Sequence, residues 1–355
     1  MSERVLMEGN EAAAEGAIAG GCRAFYGYPI TPQSQIPEYM SWRMAQVGGV
    51  YLQAESEVAA INMVYGASAA GARVMTSSSS PGISLMQEGL SYMLGAELPG
   101  VIVDIVRGGP GLGNIGAAQS DYWIATRGAG HGDGTPLVFA PYSVQELHDF
   151  TAEAFEISER FRIPVMILGD AYLGQMREPC VKRPVSEFPR ARQLGWSVGG
   201  GLEGRERNIV NSLWTNLEVM EQVNLRIAGR LEQAKVELTR WEEYGADEPE
   251  IVLCAYGIMA RVCETVVDWC RDRGIAARLF RPISLVPFPS TAVRALAERT
   301  KHCLVVELSM GQFIEDIRLA VEGSCPVSHF GRTGGVVCTP EDVLEHVEGL
   351  LASKA

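Results

Sequence analysis

The stretch Val101 to Val106, VIVDIV, constrains this chain more than any other. It is almost continuously β-branched and lacks the in-out alternation of a strand with one wet face, so it fits a parallel strand buried on both sides. Its surroundings agree. Short apolar runs are expected as strands at Arg23 to Tyr26, Val50 to Gln53, Arg73 to Thr76, Leu137 to Ala140 and Pro164 to Leu168. Between them, helical patterns run from Asn10 to Gly20 with Asn10 as N-cap, Gln33 to Gln46, Glu57 to Ala70, Ile83 to Leu94 and Ser143 to Arg162. Strands alternating with helices imply an α/β fold, a parallel sheet with helices on both faces.

That unit is complete by about residue 175, within the usual size of a domain, and we place the first domain at residues 1–190. Prolines at 179, 184 and 189 and the turn-rich Ser197 to Gly204 lead into Arg205 to Glu243, a long charged run with a helical pattern. We read residues 191–248 as a linker whose helix lies across a domain surface. A second α/β domain, residues 249–355, has strands expected at Ile251 to Ala255, Ala277 to Phe280, Leu304 to Glu307 and Val327 to Phe330. Its helices are expected at Ala260 to Asp272, Ser290 to Arg299, Gln312 to Val321 and Pro340 to Leu351.

A chain of 355 residues with net charge -13 is a poor partner for nucleic acid, whose phosphates need clustered Lys and Arg. No apolar run reaches the length of a membrane span, and the first residues have no apolar core like that of a signal peptide, so a cytoplasmic location is expected. Eight cysteines, none in CxxC spacing, read as buried free thiols in a reducing compartment. Any iron–sulfur cluster must then sit on another chain.

Three stretches carry candidate chemistry. Gln53 to Gly71, QAESEVAAINMVYGASAAG, places acids at Glu55 and Glu57 before a helix of small residues thin enough to approach another backbone closely. Either a helix-end charge pair or a buried carboxyl sharing a proton with a ligand nitrogen fits that pattern. Gly111, Gly113 and Gly116 spell the dinucleotide fingerprint, but Gly128 and Gly130 break the helix it needs and no ribose-binding acid follows. A flexible loop over an active site, with Arg107 as a fixed cation at the strand's end, is the sharper reading, beside a surface turn with a solvated arginine. Gly132-Asp133-Gly134 begins like a magnesium diphosphate motif, yet no Asn stands near position 160, so no metal site is assigned to this chain.

YGYPITPQSQIPEY, QAESEVAAINMVYGASAAGARVMTSSSSPGISLMQEG, VRGGPGLGN, LFRPISLVPFP and VVELSMGQFIEDIR together resemble the α subunit of the 2-oxoacid:ferredoxin oxidoreductases over nearly the whole chain. The branched-chain type (2-oxoisovalerate, that is 3-methyl-2-oxobutanoate) resembles it most, and the 2-oxoglutarate type comes second. The resemblance implies a thiamine-diphosphate-binding fold, the pyrimidine domain, followed by a transketolase C-terminal-like domain. It implies oxidation of a 2-oxoacid with CoA to acyl-CoA, CO2 and reduced ferredoxin. It also implies β, γ and small ferredoxin-like δ subunits, Mg2+ held by β, [4Fe-4S] clusters on partners, and a dimer of hetero-oligomers. Glu57, and not Glu55, matches the glutamate that bonds the coenzyme's aminopyrimidine. Thr31 and Arg107 match groups that hold the substrate carboxylate, and Asn114 is a further polar contact. Tyr28, Pro29 and Ile30, with Ser79 and Ser80 in the Ser78 to Gly82 run, match the lining of the coenzyme cleft. Gly311 and Gln312 match a motif expected to be structural. The alternatives are an aryl-2-oxoacid oxidoreductase, a non-oxidative thiamine transferase and a non-catalytic scaffold that docks a thiamine subunit.

Overall fold

The computed structural model describes residues 4–198 and 206–352, so most of the expected Ser197 to Gly204 turn region lies outside the described residues. The first half runs β1 (Arg4–Glu8), α1 (Gly9–Ala19), β2 (Ala24–Gly27), α2 (Gln35–Gln46), β3 (Val50–Gln53), α3 (Glu57–Ala69), β4 (Val74–Ser78), α4 (Ser80–Gly95) and β5 (Val101–Val106). It continues through α5 (Tyr122–Thr126), β6 (Leu137–Phe139), α6 (Val144–Phe161), β7 (Val165–Asp170), α7 (Ala171–Gln175) and β8 (Arg177–Val181). The rest is α8 (Leu217–Leu238), β9 (Trp241–Gly245), β10 (Ile251–Cys254), α9 (Gly257–Asp272), β11 (Ala277–Pro282), β12 (Ser284–Val286), α10 (Ser290–Ala297), β13 (His302–Glu307), α11 (Phe313–Val321), β14 (Val327–Gly331) and α12 (Pro340–Ala352).

The expected α/β architecture holds. A seven-stranded sheet in the order β12, β6, β7, β5, β4, β2, β3 is parallel except for β12, which pairs antiparallel with β6. β5 lies inside it, paired with β4 and β7, and all six of its residues are buried. A five-stranded sheet, β14, β13, β10, β11, β9, forms the second unit, with β9 antiparallel. Since β12 comes from the second half of the sequence, the two units share a sheet edge and are joined by more than the linker.

Packing against the first sheet depends on small residues. α1 lies so close to α6 that a Cβ at Gly16 would stand 2.1 Å from the His148 carbonyl oxygen. In α4, a Cβ at Gly89 would stand 2.5 Å from the Ile61 side chain of α3. Gly66 of α3 has nothing within 4 Å in this chain. It lies on an exposed stripe with Val58, Asn62 and Ala70.

Other expectations need correction. Glu8, not Asn10, precedes the first helical residue, and its N–H donates to the Glu11 carboxylate at 3.2 Å. Asn10 is buried, and its amide donates to the Pro32 carbonyl at 2.8 Å and to Gln35 Oε1 at 2.9 Å. The expected helix through Glu243 stops at Leu238, because Trp241–Gly245 pairs with β11 as a strand. α8 does lie along a surface: only Val223, Ile227, Ala234 and Leu238 are buried, while Arg226 and Arg230 pair with Glu97. β1 and β8, which the sequence pattern does not announce, form a separate antiparallel ribbon.

All eight cysteines are buried and none is in a disulfide. Among the described residues, no helix is long and apolar enough to cross a membrane.

Candidate functional site

Strands β5, β4, β2 and β3 are successive neighbours, so the turns leaving their carboxyl ends share one edge of the sheet, where open α/β folds form their crevices. After β2 come Tyr28 to Thr31. β3 leads into α3, whose first helical residue is Glu57. β4 ends at Ser78, Ser79 is the N-cap of α4, and Arg107 directly follows β5. Sheet order thus brings together residues that lie far apart in sequence.

Glu57 is 5% exposed, whereas Glu55 is exposed. Ser56 caps the helix by accepting from the Ala59 N–H at 3.2 Å, so Glu57 occupies the first turn, where the helix dipole favours a negative charge. Its carboxylate packs against the start of α4. A Cβ at Gly82 would stand 2.6 Å from Glu57 Oε1 and 2.0 Å from Ser78 Oγ, so only glycine fits. No described residue hydrogen-bonds the Glu57 carboxylate, and the buried hydroxyls of Ser78 and Ser79 also lack a partner among the described residues. Buried polar groups without partners are uncommon, and here they lie together.

Arg107 is 9% exposed and is held on several sides. Its guanidinium donates to the carbonyls of Thr31 at 2.8 Å and Leu112 at 2.9 Å. Ser80 Oγ accepts from the Arg107 N–H at 3.1 Å and donates to its carbonyl at 3.3 Å. Arg107 Nε is buried without a partner among the described residues. A fork fixed in this way is a stationary positive charge suited to a carboxylate. Thr31, Tyr28 and Pro29 are exposed and Ile30 is half-buried beside it.

Asn114 has a different task in this chain. Its amide donates to the Gly334 carbonyl at 2.8 Å and accepts from the Gly116 N–H at 2.8 Å, tying the loop to the second unit. The same loop is laced by Gly108 N–H to the Gly116 carbonyl and Asn114 N–H to the Gly108 carbonyl, both 2.9 Å. It leads to a helix of only five residues, Tyr122–Thr126, so the glycines serve this loop and not a dinucleotide-binding helix. Gly132 and Asp133 lie on an exposed loop. Among the described residues, no group of three His, Cys, Asp or Glu is arranged to hold a metal ion. Gln312 is structural as expected, its side chain bonding the Ser120 carbonyl and the Trp123 N–H.

Sequence reasoning missed Gln33 and Asn10, two buried amides that set the Tyr28 to Thr31 turn. Gln33 donates to the Tyr28 carbonyl at 3.2 Å and accepts from Ser77 Oγ at 2.6 Å, pinning the turn to β4. Gln33 at least adjoins the proline-rich turn in sequence, whereas Asn10 lies far from it and leaves no such signal.

Residues 15–193 match the family described as pyruvate flavodoxin/ferredoxin oxidoreductase, thiamine diphosphate-binding, and residues 249–343 match pyruvate:ferredoxin oxidoreductase core domain II. The chain is 46% identical over 342 residues, 96% of each sequence, to the ketoisovalerate oxidoreductase subunit VorB of Methanothermobacter thermautotrophicus. It is 33% identical to the 2-oxoglutarate synthase subunit KorA of Methanothermobacter marburgensis, over 99% of this chain and 100% of that one. Among solved structures, the 2-oxoglutarate:ferredoxin oxidoreductase from Magnetococcus marinus with 2-oxoglutarate, coenzyme A and succinyl-CoA bound is similar, with a TM-score of 0.83 at 26% identity; the match spans 98% of this chain and 65% of that one. A split-gene transketolase shares the fold, with a TM-score of 0.62 at 14% identity over 98% of each chain.

Proposed function

This chain belongs to the 2-oxoacid:ferredoxin oxidoreductase family, and from that premise we propose that it is the α subunit, which binds the pyrimidine half of thiamine diphosphate at Glu57 and the oxoacid carboxylate at Arg107 and Thr31. The observation that carries the reading is the Glu57 carboxylate, buried and without a partner among the described residues, in a cradle cleared by Gly82. Such a group wants one hydrogen-bonding ligand nitrogen, and the unpartnered Ser78 and Ser79 hydroxyls offer further contacts. The residues therefore fit the group. When bound, thiamine diphosphate supplies the carbon nucleophile and electron sink for decarboxylating a 2-oxoacid.

The chain's own part is positioning and proton holding. Glu57 holds a proton between its oxygen and the ring nitrogen, and its burial keeps water from competing for that proton. Arg107 neutralises the substrate carboxylate, and Ser80 keeps the arginine backbone from moving. Tyr28, Pro29, Ile30 and Ser80 line the approach.

The exposed stripe Val58, Asn62, Gly66 and Ala70, with Leu52 and Leu85 also exposed, is where we place the partner β subunit carrying the diphosphate and Mg2+. Iron–sulfur clusters belong on β and on the ferredoxin-like δ subunit, in a dimer of hetero-oligomers that includes γ and reduces ferredoxin. The domain boundaries at 190 and 248 and the cytoplasmic location remain part of this proposal; β1 to β8 all precede residue 190, β9 joins the second sheet from within the 191–248 linker, and the eight free thiols support the location.

For the substrate we favour a branched-chain 2-oxoacid. Leu112 and Ile115, both exposed and apolar, lie on the loop whose carbonyl Arg107 holds, and they suit an aliphatic side chain better than a second carboxylate. Ferredoxin-linked activity of the assembled complex against 2-oxoisovalerate, 2-oxoglutarate and phenylglyoxylate tests this; preference for either of the last two overturns it. The central test is C2 proton exchange of bound thiamine diphosphate in a Glu57→Gln complex. Near-normal exchange refutes the assignment.

A further inference from the structure

Behind Arg107 lies a second feature that the proposed chemistry does not use. Asp104, in the middle of β5, is fully buried, and Asp121, the N-cap of α5, is nine-tenths buried. Their carboxyls lie within hydrogen-bonding reach of each other, and Asp121 also reaches Ser80. Both oxygens of Asp104 and one of Asp121 are buried without a closed hydrogen bond among the described residues, and the Ser80 N–H faces Asp104.

The location gives the pair its meaning. The loop leaves β5 at Arg107, carries Leu112 and Asn114, makes a bridge between Arg107 and Ala117, and returns at Asp121 to the strand it left. Two carboxylates in contact in a dry interior cannot both be ionised, so one keeps a proton and that proton is the link between them. We propose that Asp104 and Asp121 are a positioning pair for the substrate-binding cation: one protonated carboxyl donates to the other, and this bond closes the loop and holds Arg107 and Leu112 against Thr31 and Ser80. The inference rests on the reading that Arg107 meets the oxoacid carboxylate.

Charge around the pair is consistent with one shared proton. Burial, with the Asp121 charge adding to it, holds Asp104 well above the usual carboxylate range, and burial pushes Asp121 up to about 6. Arg107 faces Asp121 from the end of β5 and favours its ionised form. Tyr256 approaches both acids from the end of β10, with Asp170 at the end of β7 and Glu307 at the end of β13 beyond it. Asp170 is itself pushed up to about 6 by burial, but its carboxylate already accepts the Tyr172 and Leu173 N–H groups. Near neutral pH, Asp121 is therefore the acceptor and Asp104 the donor. Because both folded values lie above the unfolded ones, the folded chain binds more protons. The pair's stabilisation is complete at low pH and declines as pH rises, and the clasp opens when Asp104 loses its proton on the alkaline side.

The test uses the full chain assembled with its partner subunits. Infrared spectra at neutral pH should show a protonated-carboxyl band that Asp104→Asn removes. Asp104→Ala should raise the oxoacid KM roughly tenfold, a modest misplacement of the cation, with C2 proton exchange unchanged. Asp104→Asn, whose amide donates to Asp121 without a proton to lose, should keep KM near wild type and abolish its alkaline rise. Absence of the band overturns the proposal, as does an Asp104→Ala variant that only lowers Tm and leaves KM unmoved beside a responsive Arg107→Ala. If Arg107→Ala itself leaves KM unmoved, the parent reading fails and takes the substrate role of the pair with it.

Discussion

Two buried glutamates at the carboxyl ends of two parallel sheets have opposite surroundings. Glu307 ends β13 and is fully buried, and its carboxylate accepts the N–H groups of Gln312 at 3.1 Å, Phe313 at 3.0 Å and Ile314 at 3.1 Å, with Ser309 Oγ donating at 2.5 Å. It closes the start of α11 with four donors already on its carboxylate. Glu57 starts α3 at the corresponding edge of the first sheet and is 5% exposed, yet no described residue hydrogen-bonds its carboxylate. The same architecture thus produces a closed edge and an open one. What separates a structural acid from a binding acid is whether the fold itself satisfies it.

The largest expected effect is also the sharpest test of that contrast. Glu57→Gln should cut C2 proton exchange in the assembled complex by about a hundredfold or more and leave Tm nearly unchanged. Glu307→Gln should do the reverse, costing about 1–3 kcal/mol of stability by turning an acceptor of several N–H groups into a mixed donor, with exchange per folded complex intact. Equal losses in both readouts would end the distinction.

Two of the buried arginines, Arg107 and Arg281, extend it to cations. Among the described residues, the Arg107 guanidinium meets only backbone carbonyls, those of Thr31 and Leu112, whereas Arg281, in β11, donates to the carboxylates of Glu146 at 2.6 Å and Glu242 at 2.7 Å and lies over the Tyr142 ring. Arg107→Ala should lower kcat/KM for the oxoacid about ten- to a hundredfold, the worth of a charge-assisted bond, with a small change in Tm. Arg281→Ala should instead be read in denaturant unfolding, since it strands the largely buried Glu146 carboxylate. Unchanged oxoacid kinetics would remove Arg107 from the site.

How much of this was legible follows from which signals are local. VIVDIV could be placed because a strand buried on both faces leaves a continuous apolar record. The strands β1 and β8 left none: RVLME and REPCV are short, and Pro179 within the second suits only a sheet edge. Trp241–Gly245 was hidden because WEEYG continues the charge-rich run of α8, and only pairing with β11 makes it a strand. At the site, the residues alone left a helix-end charge pair and a buried ligand-binding carboxyl level, and the family resemblance chose Glu57 over Glu55. Burial now separates them physically. Asp104 and Asp121 stayed invisible because only the returning loop makes them a pair. Asn10 was misread as a cap for the same reason, since its partners, Pro32 and Gln35, come from another turn.

The smallest expected effects come from two glycines and reach furthest into how the open edge is used. Gly82 lies at the closed back of the cradle, where a methyl group would overlap Ser78 Oγ and Glu57 Oε1. Gly82→Ala should therefore displace the carboxylate and weaken thiamine diphosphate binding about tenfold, the usual scale for an overpacked contact of 1–3 kcal/mol, measurable by titration of the assembled complex. Gly66 faces open space in this chain, with helical neighbours on the exposed stripe. Alanine there should raise the Tm of the isolated chain slightly, by about 0.5–1 kcal/mol of helix propensity. If a partner backbone comes close at that stripe, the same methyl group must weaken assembly, so a stabilised chain that associates less well would locate the partner on α3. A Gly66→Ala chain that gains stability and assembles as tightly as before would move the interface elsewhere, and the open edge would then have to be completed from the side of Leu112 and Ile115.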